Sequence, residues 1–198
     1  QAFMDLVDIQ RLEVLRGPQG TLFGRNASAG LVNIVSEGGT DSFQAEANAD
    51  LFEGNEYRLR AAVSGPLAEN LTARLTGFYG SFDGNITNVN QGGRRDVNGY
   101  KRYGARGILD YDAGGADLRL IADYFESDDN CCADVTAVSR GAVLDAELGL
   151  PGGSAQGEDQ RLVNHNLVTR AKDRQWSITG SGDFDIGDTH TLNVILGY

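Results

Sequence analysis

Apolar and polar residues alternate in seven separate runs along most of the chain. In one run, for example, Tyr57 and Leu59 alternate with Arg58 and Arg60. An alternation of period two predicts a β-strand with one apolar and one polar face. The runs cover residues 43–51, 57–64, 71–79, 103–111, 117–124, 175–186 and 192–198.

The lengths of the runs and of the segments between them favour a transmembrane β-barrel. Most runs span about 8 to 12 residues, near the 9–11 that a tilted strand needs to cross a bilayer and above the usual 5–6 of soluble sheets. Short connections at 65–70, 112–116 and 187–189 alternate with long ones at 82–100 and 126–171, and the short first hairpin near 53–55 is the exception. Periodicity alone also fits a soluble β-sandwich. Aromatic residues, as in interfacial girdles, lie near the ends of the apolar faces: Phe43, Tyr57, Tyr79, Tyr103, Tyr111, Tyr124, Trp176, Phe184 and Tyr198.

Composition narrows the class of protein. The chain has 28 acidic and 17 basic residues among 198, a net charge of −11, which argues against nucleic-acid binding because phosphate contacts need clustered Lys and Arg. No stretch approaches the roughly 18 apolar residues of a transmembrane helix. A β-barrel is therefore the membrane-spanning architecture that remains.

The first segment differs from the alternating runs. Residues 7–16 read as a strand with a change of phase near Gln10 and Arg11, a Gly-Pro turn follows at 17–20, and a second apolar run covers 31–35. These features predict a compact strand–turn–strand unit. We therefore divide the chain into residues 1–38 and residues 39–198.

Residues 9–36 strongly resemble the C-terminal part of the plug domain of TonB-dependent outer-membrane receptors. The match is long and ungapped, and it departs from the usual pattern only where Ala29-Gly30 stands in place of Gly-Gly. The residues of this signature are Arg16, Gly17, Pro18, Gly20, Gly24, Arg25, Gly30 and Asn33.

This resemblance implies a barrel of about 22 strands with a plug in its lumen. Residues 1–38 would be the end of the plug and residues 39–198 the first seven strands of the barrel. Because the chain stops inside the last alternating run, we expect a fragment whose signal peptide and TonB-contacting segment lie outside it.

The resemblance further implies TonB-dependent transport of a scarce solute across the outer membrane, with a ferric siderophore first and cobalamin or an oligosaccharide as alternatives. The implied partners are the TonB complex, outer-membrane lipid and lipopolysaccharide, and an extracellular small molecule, here a metal chelate. A passive porin or adhesin barrel without a plug is the competing function. Neither enzymatic activity nor a cofactor is expected.

Two stretches resemble catalytic or phosphate-binding motifs, but neither motif is complete. The glycines at 17, 20 and 24 are not followed by the Lys-Ser/Thr of a phosphate-binding loop. Residues 26–30 lack the first glycine of the Gly-x-Ser-x-Gly motif that forms the nucleophile elbow of a serine hydrolase. The resemblance implies that Arg16 pairs with a barrel glutamate and holds the plug, while a solvated surface arginine is the equal alternative.

The long loop contains adjacent cysteines, Cys131 and Cys132, which are candidates for a disulfide in an oxidising compartment. Neighbouring Cα atoms lie about 3.8 Å apart, closer than in ordinary disulfides, so such a bond would be strained. Isolated histidines, His165 and His190, do not suggest a metal site.

Two charged stretches are also candidates for binding. Residues 126–160 contain eight acids and one arginine, which fits a solvated loop better than a site for cations. Near the other long loop, Arg94, Arg95, Lys101 and Arg102 are placed to meet lipopolysaccharide phosphates or an anionic ferric chelate.

Overall fold

The computed structural model describes residues 8–23, 29–88, 96–130, 161–163 and 169–198. These residues form twelve strands and one short helix, in three separate sheets. Within these ranges no helix is long and apolar enough to cross a lipid bilayer. The elements are β1 (Ile9–Arg16), α1 (Gly20–Phe23), β2 (Gly30–Ser36), β3 (Gln44–Phe52), β4 (Glu56–Ala68), β5 (Leu71–Phe82), β6 (Ile86–Asn88), β7 (Asp96–Val97), β8 (Tyr100–Asp112), β9 (Ala116–Asp129), β10 (Leu162–Val163), β11 (Ala171–Ile186) and β12 (His190–Gly197).

The main sheet has seven antiparallel strands in the order β12-β11-β9-β8-β5-β4-β3. Each of the seven alternating runs forms one of these strands, so the all-β prediction is confirmed. β9 and β11 continue beyond their apolar runs, because backbone pairing persists as far as Ala171 and Asp129. The ladder therefore extends into the polar ends that the sequence pattern assigned to a loop.

The end of β4 differs from the sequence prediction in one respect. The segment expected to connect two strands at 65–70 instead belongs to β4 as far as Ala68, with a register shift between Pro66 and Ala68. β3 pairs with β4 only up to Ser64. Pro66 therefore lies where one side of β4 has no partner strand, and its missing N–H breaks no ladder hydrogen bond.

The two faces of the main sheet have opposite character. Register places apolar residues side by side, as in the row Val63, Leu75, Gly107, Ala122 and Ile178. An exposed apolar surface on this scale is far larger than a soluble monomer carries, so this face is suited to contact with lipid. Its large exposed side chains are Leu51, Tyr57, Leu59, Val63, Leu75, Tyr79, Tyr103, Leu109, Tyr111, Leu118, Leu120, Tyr124, Trp176, Ile178, Phe184, Leu192 and Leu196.

β1 and β2 form a separate antiparallel hairpin that contacts the polar face of the main sheet. Its register shifts between Ile9 and Arg11, where the sequence pattern changes phase. The strand–turn–strand unit is thus observed, whereas the division of the chain at residue 38 stays a prediction.

A third, small sheet was not predicted from the sequence. β6 pairs with β7 antiparallel and with β10 in parallel, and its core is Ile86, Val97 and Val163. Strands of two or three residues are too short to show a periodicity. This sheet joins parts of the two long connections at one end of the main sheet.

Candidate functional site: the contact between hairpin and sheet

A buried ion pair joins the hairpin to the main sheet. Arg74, on the polar face of β5, donates from Nε to Asp8 Oδ2 at 2.8 Å and from Nη2 to Asp8 Oδ1 at 2.5 Å. The two side chains are only 7% and 5% exposed. The Thr76 hydroxyl also donates to Asp8 Oδ2. Such two-pronged charged hydrogen bonds fix orientation as well as distance.

The pair includes a second carboxylate. Glu46 on β3 accepts from Arg74 Nη2 at 2.7 Å, but its side chain is largely exposed. Two acids therefore share one buried guanidinium, one from the hairpin and one from the sheet. Arg74 therefore forms an ion pair with each element, and loss of Asp8 would leave it paired only with the solvent-exposed Glu46.

The environment keeps Asp8 ionised. Burial acts to raise the pKa of this carboxyl, but hydrogen bonds from Arg74 and Thr76, with the positive charges of Arg74 and Arg106, outweigh burial and lower the pKa below its ordinary value. The attraction between hairpin and sheet is therefore fully present near neutral pH.

The other strand of the hairpin is held close by. Arg106 donates from Nη1 to the Ser36 hydroxyl at 2.6 Å and from Nε to Asp123 at 2.6 Å. Asp8 and Ser36 lie at the same end of the hairpin, since Ile9 pairs with Ser36 in the register. Both strands are thus anchored where the chain enters and leaves the hairpin.

The segment that follows the hairpin runs tightly along the sheet. Gly39 donates its backbone N–H to Asp110 Oδ2 at 2.8 Å, and Thr40 donates to the Ser64 hydroxyl at 3.0 Å. A Cβ atom at Gly39 would lie 2.9 Å from the backbone nitrogen of Ala73 and would also collide with Thr72. Only glycine permits this approach.

Two of the signature residues have clear structural roles within the hairpin. Asn33 donates from Nδ2 to Glu13 Oε2 at 2.8 Å across the strands, and hydrogen bonds from Arg11 and Asn33 lower the pKa of Glu13. Gly30 has φ +148°, and an added Cβ would lie 2.7 Å from the carbonyl oxygen of Leu15. Both residues therefore stabilise the hairpin itself.

The other signature residues lie at the far end of the hairpin. Arg16 is exposed and forms no ion pair with any described residue, so the expected pairing with a barrel glutamate stays a prediction. Gly17 donates its N–H to the Ala29 carbonyl at 3.2 Å, Pro18 is exposed, and Gly20 begins the short helix.

Several predicted residues lie outside the residues that the structure describes. These include the candidate disulfide and most of the acidic loop, while Lys101 and Arg102 are described. In the described ranges, no group of three His, Cys, Asp or Glu side chains is arranged to hold a metal. The predicted residues outside the described ranges are Gly24, Arg25, Arg94, Arg95, Cys131, Cys132 and His165.

A polar cavity of about 840 Å³ opens beside Asp8 and Arg74. Glu37, Glu46 and Arg60 are among its lining residues, so charges of both signs face the same space. Such walls favour water and polar ligands over apolar ones. The polar face therefore combines a fixed hairpin with a wet, charged space.

Sequence reasoning missed Asp8, the residue that anchors the hairpin. Its signal is weak but present: an acid between apolar Val7 and Ile9, at the start of a strand. A charge in such a position needs a buried partner. The alternation of the run 71–79 predicts that Arg74 lies on its polar face, and the structure places it there.

Comparison with known proteins gives a consistent result, although no protein-family model matches the chain. The pesticin receptor of Yersinia enterocolitica is 36% identical over 76 residues, which cover 38% of this chain and 10% of that protein. A probable TonB-dependent siderophore receptor, PirA of Acinetobacter baumannii, is 25% identical over 187 residues, covering 90% of this chain and 24% of that protein. The resemblance to TonB-dependent receptors is confirmed.

Solved structures show the same fold as this receptor-like chain. The ferric yersiniabactin uptake receptor FyuA from Yersinia pestis aligns with a TM-score of 0.71 at 21% identity, covering 96% of this chain and 28% of that one. The outer-membrane ferripyoverdine receptor of Pseudomonas aeruginosa also gives 0.71, at 18% identity, covering 96% and 24%. The predicted all-β fold, shared with these receptors, is confirmed, and the expected outer-membrane location agrees with the receptors that the chain resembles. The soluble-sandwich alternative is not supported.

The chain spans about a tenth to a quarter of the length of the curated relatives it matches. These relatives are named as receptors, which agrees with the expectation of a non-enzymatic protein. The receptor resemblance thus concerns one portion of a much larger relative.

Proposed function

We propose that this chain is part of an outer-membrane receptor that takes up a ferric siderophore with energy delivered through TonB. Residues 1–38 form the end of the plug and residues 39–198 the first strands of the barrel. Support comes from relatives named for iron chelates, among them the ferric enterobactin receptor PirA of Pseudomonas aeruginosa, 32% identical over 91 residues. The ferrioxamine B receptor of Salmonella typhimurium is 36% identical over 83 residues.

The anchored hairpin carries this proposal. A sheet whose outer face is apolar and whose inner face is charged suits a membrane barrel with a wet lumen. A passive porin or adhesin has no need of a hairpin bound inside, whereas the Asp8–Arg74 pair holds one against the inner face. The observation therefore favours a plugged, gated receptor over an open channel.

The proposed function also implies the partners of the protein. The ligand is an extracellular metal chelate, the energy source is the TonB complex, and the apolar face meets outer-membrane lipid and lipopolysaccharide. The signature residues belong to the plug, and in the proposed receptor Arg16 pairs with a barrel glutamate. These residues are Arg16, Gly17, Pro18, Gly20, Gly24, Arg25, Gly30 and Asn33.

Uptake of radioactive iron by cells that express the full-length protein tests the proposal. Catecholate and hydroxamate ferric siderophores are offered separately, to otherwise identical cells with and without TonB. We expect uptake of at least one chelate that disappears without TonB. Equal uptake in both strains would instead indicate a passive channel, and competition by cobalamin or an oligosaccharide would reassign the solute.

A further inference from the structure

A buried asparagine joins the two long connections at their rim of the main sheet. Asn130 directly follows β9 and is 7% exposed. Its backbone N–H donates to the Gly99 carbonyl at 3.1 Å, and the Asn98 N–H donates to the Asn130 carbonyl at 3.1 Å. Its side chain accepts from the Gly99 N–H and donates from Nδ2 to the Asp96 carbonyl at 3.3 Å. One residue of the second connection thus makes four hydrogen bonds to the segment that ends the first.

The small sheet makes a second link between the same two connections. The Thr87 N–H of β6 donates to the Arg161 carbonyl at 2.8 Å, and β6 pairs in parallel with β10. Within the first connection, the Asn85 N–H donates to the Val97 carbonyl at 3.2 Å. The apolar core of the small sheet takes one residue from each of β6, β7 and β10. We call β6, β7, β10, residues 98–99 and Asn130 the rim unit.

The rim unit is continuous with the polar face of the main sheet. Tyr100 directly follows it in the first connection, Asp129 directly precedes Asn130 in the second, and the two residues pair in the register. The Tyr100 hydroxyl donates to Glu56 at 2.7 Å, and Arg102 donates from Nη2 to Asp129 at 2.6 Å. The position of the rim unit therefore sets where these polar side chains begin.

We propose that the rim unit makes the two long connections move as one body at the outer mouth of the receptor, and that Asn130 positions this body for capture of the chelate. The inference rests on the proposed function, because the long connections of outer-membrane barrels are extracellular. Asn130 is a positioning residue, since it is buried and its four hydrogen bonds all go to backbone atoms.

The polar side chain of Asn130 is what makes the link depend on one residue. In Asn130→Ala the buried Gly99 N–H and the Asp96 carbonyl lose their partners. A buried backbone group without a partner is costly, whereas exposed loops otherwise open independently at little cost. Loss of this side chain should therefore open the whole rim unit rather than one segment of it.

Amide hydrogen exchange in the full-length protein tests the coupling. The decisive amide is that of Thr87, because none of the four hydrogen bonds of Asn130 involves Thr87. We expect it to exchange about 30-fold faster in Asn130→Ala, equivalent to about 2 kcal/mol, while the amides of β8 and β9 keep their rates. Asn193→Ala is the matched control, because it removes an exposed hydrogen bond to Asp183 on β12, and Thr87 should exchange in it as in the wild type.

Uptake of ferric siderophore at increasing concentrations tests the positioning role with the same variants. We expect Asn130→Ala to raise the concentration that gives half-maximal uptake by about threefold or more, because fewer receptors present the ordered unit at any moment. The maximal rate should stay unchanged, because capture precedes the step driven through TonB. A role in stability alone would instead lower the maximal rate, by reducing the amount of receptor, and leave the half-maximal concentration as it is.

Two results would overturn the inference. If only the amides of Asn98 and Gly99 exchanged faster while Thr87 kept its rate, the two connections would open separately. If Thr87 exchanged faster but the half-maximal concentration did not change, the unit would have no part in capture. Absence of any uptake by the wild type would refute the proposed function and the positioning role with it, whereas the exchange result on the coupled unit does not depend on uptake.

Discussion

Removal of the Asp8 carboxylate is expected to release the hairpin from the sheet. In Asp8→Ala the buried Arg74 guanidinium loses its two-pronged partner and keeps only Glu46, at 2.7 Å and largely exposed. Breaking a buried pair by removing one partner costs about 3–5 kcal/mol. Because Glu46 remains, we expect the lower end, about 3 kcal/mol, which corresponds to about a 150-fold change in an opening equilibrium.

Hydrogen exchange in the full-length protein measures this change directly. The amides of β1 and β2 should exchange about 150-fold faster in Asp8→Ala, while those of β8 and β9 keep their rates. Arg11→Gln is the control in the same hairpin, since the Arg11–Glu13 pair is exposed and such pairs contribute at most about 1 kcal/mol. If Asp8→Ala accelerated exchange no more than Arg11→Gln does, the buried pair would not be what holds the hairpin.

Three further changes have definite expected outcomes. Leu120→Arg, on the apolar face, should cost about 2–4 kcal/mol of insertion free energy and reduce the folded, heat-modifiable band on gels, whereas Arg119→Gln should be tolerated; equal damage would contradict the assigned faces. Gly30→Ala should destabilise the hairpin by about 1–3 kcal/mol, measured by amide exchange, whereas Gly20→Ala has open space and should not. Because the pKa of Asp8 is lowered, its contribution to hairpin docking is complete above 3.8 and is lost as the pH falls through the lower folded value; exchange of wild-type hairpin amides should therefore rise in acid, and Asp8→Ala should lack this step.

The strands and their faces were predictable because each is a local property of the sequence. Alternation such as that of Leu59 with Arg60 assigns a face without knowledge of any partner. The change of phase near Gln10 likewise corresponds to the register shift in β1. Pro66 shows the limit, because its place inside β4 depends on where β3 stops pairing.

The contact between hairpin and sheet could not be predicted in the same way. Asp8 and Arg74 are 66 residues apart, and the sequence around either residue does not indicate the other as its partner. The resemblance directed attention to Arg16, which in the described residues lies exposed at the opposite end of the hairpin. The small sheet of β6, β7 and β10 was missed for a related reason, since its strands exist only through pairing between distant segments.

The most direct test of the account is the location and size of the native protein in cell fractions, detected by an antibody against residues 126–170. The account predicts a chain several times longer than 198 residues, found in the outer-membrane fraction and shifted in mobility by heating. A chain of about this length in the soluble fraction would contradict the proposal that it is part of a TonB-dependent receptor.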